Sequence, residues 1–288
     1  MIIAVVGPTG VGKTKMSIEL AKKYNAEIIS CDSMQVYRKM DIGTAKVSKE
    51  EMNGIKHHLI DVRETYDDYS VYDYQKDARK ILNKLLIDNK NVVIVGGTGL
   101  YLKALLYDYE FNETGIRKDY SSYCNEELRK MVLEIDKHST IHVNNRQRLE
   151  SFLNNHNKGE EKKECKLLYK DVKIIGLTRP RKELYDTINN RVDKMVNDGL
   201  IEEARTFYEN NVNDKAINTA IAYKELYLYF DGKISLEDAI NLIKQRSRNY
   251  AKRQYTWFNH QMSVKWFDIN VKDFMKTVNE VISYIENN

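Results

Sequence analysis

The sequence predicts an α/β fold, a doubly wound parallel sheet that opens on a phosphate-binding loop and carries a small helical insertion. The runs IIAVV (2–6), AEIIS (26–30), HHLIDV (57–62), NVVIVG (91–96) and DVKIIGL (171–177) are almost continuously apolar, as strands covered on both faces are. Helical patterns alternate with them, the rhythm of parallel strands joined by crossover helices. The first run also leads straight into GPTGVGKT (7–14), which fits G-x-x-x-x-G-K-[ST] at every fixed position and is followed by the helix-like KMSIELAKKY.

That loop follows the first strand at the carboxyl edge, where such sheets bind ligands. Gly7 and Gly12 let the backbone curl, so that the amides of Gly7, Pro8, Thr9, Gly10, Val11 and Gly12 (proline excepted) line a cradle for phosphate oxygens. Lys13 adds a full positive charge at a helix N-terminus, and the Thr14 hydroxyl is placed for Mg²⁺. After the strand AEIIS comes Asp32, a carboxylate suited either to holding metal or to taking a proton. The helix in SVYDYQKDARKILNKLLIDNK starts with a capping-box pair, Ser70 and Asp73. The strand NVVIVG then ends in Gly96-Gly97-Thr98, without the acidic residue that a phosphate-loop hydrolase places at a second strand.

Residues 118–169 show no strand-like run and include the polar stretch NNHNKGEEKKEC (154–165). They are expected to form a helical insertion, leaving 1–117 and 170–288 as the catalytic core. A helix is predicted over Arg181–Asn197, between Pro180 and Gly199, and another from about Ser235 to His260. Between Ala239 and Phe267 there is no Asp or Glu, but Lys244, Arg246, Arg248, Lys252, Arg253 and Lys265 are present. Lys244, Arg248 and Lys252 would stack along one helical ridge, with Leu236, Ile240, Ile243 and Tyr250 on another face. Uncompensated like charges, combined with a phosphate site elsewhere in the chain, point to a polyanionic partner.

Composition narrows the class. With 42% hydrophobic and 31% charged residues over 288 positions, the chain is an ordinary globular protein, and its net charge of +4 permits a nucleic-acid partner without requiring one. Cys31, Cys124 and Cys165 form no C-x-x-C pair, which argues against zinc or a disulfide framework. No apolar run reaches membrane-spanning length, and the N-terminus lacks a signal-peptide pattern, so a cytoplasmic protein is expected, with a monomer as the default.

Taken together, GPTGVGKT, DSMQVYRKMDIGTAK (32–46), HHLID (57–61), GGTGLYLKALL (96–106), IGLTRPRKELYDTINNRVDKMVNDGLIEEA (175–204), AYKEL (222–226) and YAKRQYTWF (250–258) resemble the tRNA dimethylallyltransferases, also called tRNA isopentenyltransferases. The resemblance runs in order along most of the chain. It implies that the loop holds dimethylallyl diphosphate with Mg²⁺, and that the dimethylallyl group moves to N6 of adenosine 37 beside the anticodon of tRNA. It further implies that Asp32 is the general base, and that Ser33, Met34 and Gln35 meet the acceptor base. Thr98 would touch tRNA close to the reacting centre, Arg117 would contact tRNA at its spacing after Thr98, and Gln147, Arg148, Leu149, Glu150 and Ser151 would contact it from the insertion. Tyr250 to Trp257, with the cations Arg246, Arg248, Lys252 and Arg253, would contact it from the basic helix.

The chain departs from the family's pattern on the acceptor side. Asn145 stands where an aspartate is usual, Ser151 where a second arginine is usual, and Ala222 where the G-Y-K-E segment has glycine. These changes predict weaker or redirected acceptor binding with donor chemistry intact. The rival readings are transfer onto free AMP, which needs no basic helix, a phosphate-loop kinase of a small metabolite, which leaves DSMQVYRKMDIGTAK and GGTGLY unexplained, and a tRNA-binding protein of weak activity.

Overall fold

The computed structural model describes residues 1–109, 118–156 and 166–288. In chain order the elements begin β1 (Ile2–Val6), α1 (Lys13–Tyr24), β2 (Ala26–Ser30), α2 (Lys49–Met52), β3 (His57–His58), α3 (Val71–Ile87), β4 (Asn91–Val95) and α4 (Gly99–Leu106). There follow α5 (Asn125–Ile135), α6 (Arg146–His156), β5 (Val172–Thr178), α7 (Arg181–Asn197), α8 (Leu200–Glu209) and α9 (Lys215–Thr219). The chain closes with α10 (Tyr223–Phe230), α11 (Leu236–Gln261), β6 (Lys265–Asp268) and α12 (Phe274–Asn287). Two compact units result: Met1–Tyr109 with Leu167–Asn288, and Glu110–Lys166.

The first unit is built on a parallel sheet of order β3-β2-β4-β1-β5-β6. Alternate side chains of each central strand enter opposite cores. Ile2, Ala4 and Val6 join Ile29, Val92 and Ile94 on one face, while Ile3 and Val5 join Ile28, Val93 and Ile175 on the other. Helix α3 covers the first face through Tyr74, Ala78 and Leu82, and α1 and α12 cover the second through Met16, Leu20, Val278 and Val281. Burial on both sides is why these strands read as unbroken apolar runs.

Strand β3 corrects the expected run 57–62. Only His57 and His58 pair with β2, because Leu59 and Asp61 take left-handed backbone (φ 62° and 55°) and turn the chain away. Both histidines are structural: His58 Nε2 lies 2.7 Å from Glu27, and His57 Nδ1 lies 2.9 Å from the Ile55 carbonyl. Strand β6 is an addition. It pairs with β5 at the sheet edge, where Lys265 and Asp268 are exposed and no continuous apolar run is needed. Helices α3, α7 and α11 fall where the sequence places them, with Ser70, Pro180 and Ser235 at their N-caps.

The second unit contains α5 and α6, which pack through Tyr120, Leu128, Val132, Leu149 and Leu153. From residue 157 to 165 the polar stretch lies outside the described residues.

Candidate active site

Strand order alone brings the motifs together. With β4 between β2 and β1, the carboxyl ends present Asp32 after β2, Gly96-Gly97-Thr98 after β4, and the phosphate loop after β1, side by side. Gly7 has φ 138°, and a Cβ there would sit 2.5 Å from the Leu177 carbonyl oxygen of β5, so only glycine fits. The Lys13 ammonium folds back to donate to the Pro8 carbonyl at 2.8 Å. Burial, and then the neighbouring Arg191 guanidinium, push its pKa down to about 7 against the opposing pull of Asp32. Thr14 is exposed on the first turn of α1.

Asp32 is half-buried and splits its carboxylate between two tasks. Oδ1 accepts the amides of Met34 (2.9 Å) and Gln35 (3.4 Å), closing the turn that starts DSMQ, while the other oxygen has no hydrogen-bond partner among the described residues. Thr98 Oγ1 accepts the Ser33 amide at 3.1 Å and donates to Ser33 Oγ at 3.3 Å, tying β4's end to that turn. Gln35 reaches the carbonyls of Thr44 and Ala45 (3.4 and 3.2 Å), and Met34 packs on the core. The loop carrying Ala45 is itself held by Glu203, which accepts the amides of Asp41, Ile42 and Gly43 at 2.8–3.0 Å and the Tyr223 hydroxyl at 2.8 Å. Cys31, next to Asp32, is no nucleophile: burial pushes its thiol up to about 12.

Two arginines outside the sequence-derived set, and two residues of its 250–257 segment, complete the site. Arg191 of α7 donates to the Thr9 hydroxyl (2.9 Å) and to the Ala45 carbonyl (3.4 Å), and Arg179, just before α7, donates to the Val11 carbonyl (3.3 Å). From α11, Gln254 and Tyr250 enter beside Thr98, and Asp32 is close enough for its charge, after burial, to raise the Tyr250 phenol's pKa. A signal for Arg191 existed: it adjoins the apolar stripe Leu184, Ile188 and Val192 that α7 buries. The glycines of GGTG also gain a reason. A Cβ at Gly97 would lie 2.0 Å from Gln254 and one at Gly99 2.0 Å from Trp257, so this turn seats α11.

The basic helix differs from the ridge expected of it. Ile243 is buried and Leu236, Ile240 and Tyr250 are partly so, but the cations divide. Lys244 pairs with Asp193 at 2.5 Å, and Arg248 donates to Asn189 at 2.6 Å, both on α7. Arg246 pairs with Glu225, whose fully buried carboxylate requires a countercharge. Lys252 and Arg253 remain exposed.

In the second unit, Gln147, Arg148 and Ser151 are exposed along α6. Leu149 is fully buried in the unit's core, which corrects its expected role as a contact, and Glu150 pairs with Arg146 at 2.7 Å. Asn145 Oδ1 accepts the Arg148 amide at 3.3 Å, so the asparagine still caps α6 as an aspartate would. Arg117 lies outside the described residues.

Among the described residues no cluster of three or more His, Cys, Asp or Glu side chains is placed to hold a metal, and no helix is long and apolar enough to cross a membrane.

Comparison with known proteins agrees with this geometry. The family described as IPP transferase matches residues 35–261. A tRNA dimethylallyltransferase of Anoxybacillus flavithermus is 45% identical over 99% of this chain and 96% of its own. The crystal structure of the full-length tRNA isopentenylpyrophosphate transferase of Bacillus halodurans superposes with a TM-score of 0.78 at 41% identity, covering 99% of this chain and 95% of that one. A eukaryotic dimethylallyltransferase solved acting on tRNA gives a TM-score of 0.81 at 25% identity, over 99% of this chain and 78% of its own.

Proposed function

The chain belongs to the IPP transferase family, and from that premise we propose that it transfers a dimethylallyl group from dimethylallyl diphosphate to N6 of adenosine 37 in the tRNA anticodon loop, releasing diphosphate. One observation carries the reading: a carboxylate oxygen of Asp32 with no hydrogen-bond partner among the described residues adjoins a cation-lined phosphate loop across Thr98. In the reaction the bond between the allylic carbon and the diphosphate oxygen breaks, a bond from N6 to that carbon forms, and the N6 proton passes to Asp32. The adenine amine is a weak nucleophile because its lone pair is delocalised into the ring, so stabilising the leaving group matters most. Loop amides, Lys13 and Arg191 meet the charge that grows on the departing diphosphate. The half-buried site excludes much of the water that would compete for the cation.

Mg²⁺ fits the residues present. This ion favours oxygen ligands, keeps several waters and commonly takes one or two protein oxygens beside substrate phosphates. The Thr14 hydroxyl would hold it, where it would add positive charge beside the leaving group. The acceptor base must leave its stack, at a cost of a few kcal/mol. Lys252 and Arg253 on α11 offset that cost by meeting tRNA phosphates, together with Arg117 and with Gln147, Arg148 and Ser151 of the insertion. The enzyme acts in the cytoplasm as a monomer.

Labelled dimethylallyl diphosphate offered with an anticodon stem-loop, with AMP and with no acceptor tests this directly. Label is expected on the stem-loop adenosine alone, and Asp32→Asn should lower transfer by about 10²–10⁴-fold while diphosphate still binds. Transfer to AMP at equal rate, or an Asp32→Asn enzyme near wild-type speed, would refute it.

A further inference from the structure

The side chain of Gln254 joins two motifs that lie far from it in sequence. It projects from α11 and is 5% exposed. Its Oε1 accepts the Thr9 amide of the phosphate loop at 2.8 Å, and its Nε2 donates to the Gly97 carbonyl at 3.1 Å. One partner is an obligate donor and the other an obligate acceptor, so the carboxamide's orientation is fixed. The approach is tight enough to demand glycine at 97. One turn earlier, Tyr250 lies close enough to the Thr98 and Gln254 side chains for both to oppose the rise that burial gives its phenol pKa.

We propose that Gln254 is a positioning residue for the diphosphate donor: it sets the Thr9 peptide of the loop from the helix that faces the acceptor. Thr9 is then held from both sides, its amide by α11 and its hydroxyl by Arg191 of α7. Glutamine is the one side chain of this length that offers an acceptor and a donor together without charge. Methionine would match its shape and offer neither. Glutamate would keep the acceptor for Thr9 but set a negative oxygen against the Gly97 carbonyl. Once protonated, however, that same glutamate regains a donor. Lys252 and Arg253 immediately precede Gln254 on α11, so a displacement of this helix on binding RNA would reach Thr9 through the same carboxamide.

The inference rests on the proposed function, and its test separates the two. Inorganic diphosphate is titrated calorimetrically into full-length wild-type, Gln254→Met and Gln254→Glu proteins, and an anticodon stem-loop is titrated in parallel. The Met variant should bind diphosphate about tenfold more weakly, with a matching rise in donor KM and little change in kcat. Stem-loop affinity should stay within about twofold, since the exposed cations are untouched. The Glu variant should be weaker still at neutral pH, and should recover towards wild type, compared at the same pH, as its buried carboxyl protonates. The inference is overturned if the Met variant binds diphosphate within about twofold of wild type, if diphosphate and stem-loop affinities fall together, or if the Glu variant shows no pH-dependent recovery. A wild-type protein that binds no diphosphate would bring down the proposed function as well, whereas one that binds it alongside unaffected variants removes only the role of Gln254.

Discussion

Lys13 is the residue whose environment does most to set the chemistry. Burial and Arg191 hold its ammonium pKa near 7, below the ordinary lysine value, so in the ligand-free protein the charge is lost as pH rises through about 7. A bound diphosphate reverses that shift. Binding at about pH 8 should therefore take up a proton, and affinity should fall by about tenfold per pH unit above neutrality until the bound-state pKa is reached. Calorimetry in buffers of different ionisation enthalpy measures the uptake, and Lys13→Met should abolish it. Ala222 is the residue in the least comfortable conformation. Its φ of 101° and ψ of −51° suit glycine, yet it is fully buried, with its amide on Glu225 at 2.8 Å. Relief of that strain outweighs the extra freedom glycine gives the unfolded chain, so Ala222→Gly should stabilise the fold by about 1 kcal/mol and raise Tm by about 2 °C. A thermal melt checks both. The departure from the family's glycine therefore carries a stability cost.

At the scale of elements, α11 shows where a sequence stops informing. Six cations without an acid between Ala239 and Phe267 read as a polyanion surface, because pairing partners on other helices are invisible in a one-dimensional pattern. Asp193 and Asn189 from α7 and Glu225 from α10 engage Lys244, Arg248 and Arg246. Two exposed cations remain on the helix, Lys252 and Arg253. At about 0.7 per single-strand phosphate, α11 should contribute a slope of about −1.4 in log affinity against log salt. Lys252→Glu with Arg253→Glu should remove at least that much from the slope measured with a stem-loop, and an unchanged slope would exclude α11 from RNA contact. Strands were legible for the opposite reason. Double-sided burial writes itself into five successive residues of β1, whereas β6, a half-exposed edge, leaves Trp266 and Phe267 without an apolar run around them. The carboxyl-edge residues Lys13, Asp32 and Thr98 were legible because each closes a strand motif. The contacts of Arg191 and Gln254 with the phosphate loop were not, since both reach it from helices whose sequence positions say nothing of where they dock, even though Arg191 adjoins an apolar stripe and Gln254 falls in the 250–257 segment.

Across the whole molecule, the point where the chain leaves the sheet unit and returns to it is pinched shut. Tyr107 and Leu167 form an antiparallel bridge, and the Leu168 amide donates to the Leu106 carbonyl at 2.9 Å. Both ends of the excursion therefore start from neighbouring backbone, and the core closes on itself without the intervening segment. Excision of 110–166 behind a short Gly-Ser link should leave a cooperatively melting protein that still binds diphosphate, because closing so short a gap costs little chain entropy. Such a trimmed protein should have lost most of its discrimination between a structured anticodon arm and a loose oligonucleotide, a comparison that competition binding reads out. Under the proposed function, the pinch makes the excursion a detachable module, one in which selectivity for RNA can drift while the sheet that runs the transfer stays as it is.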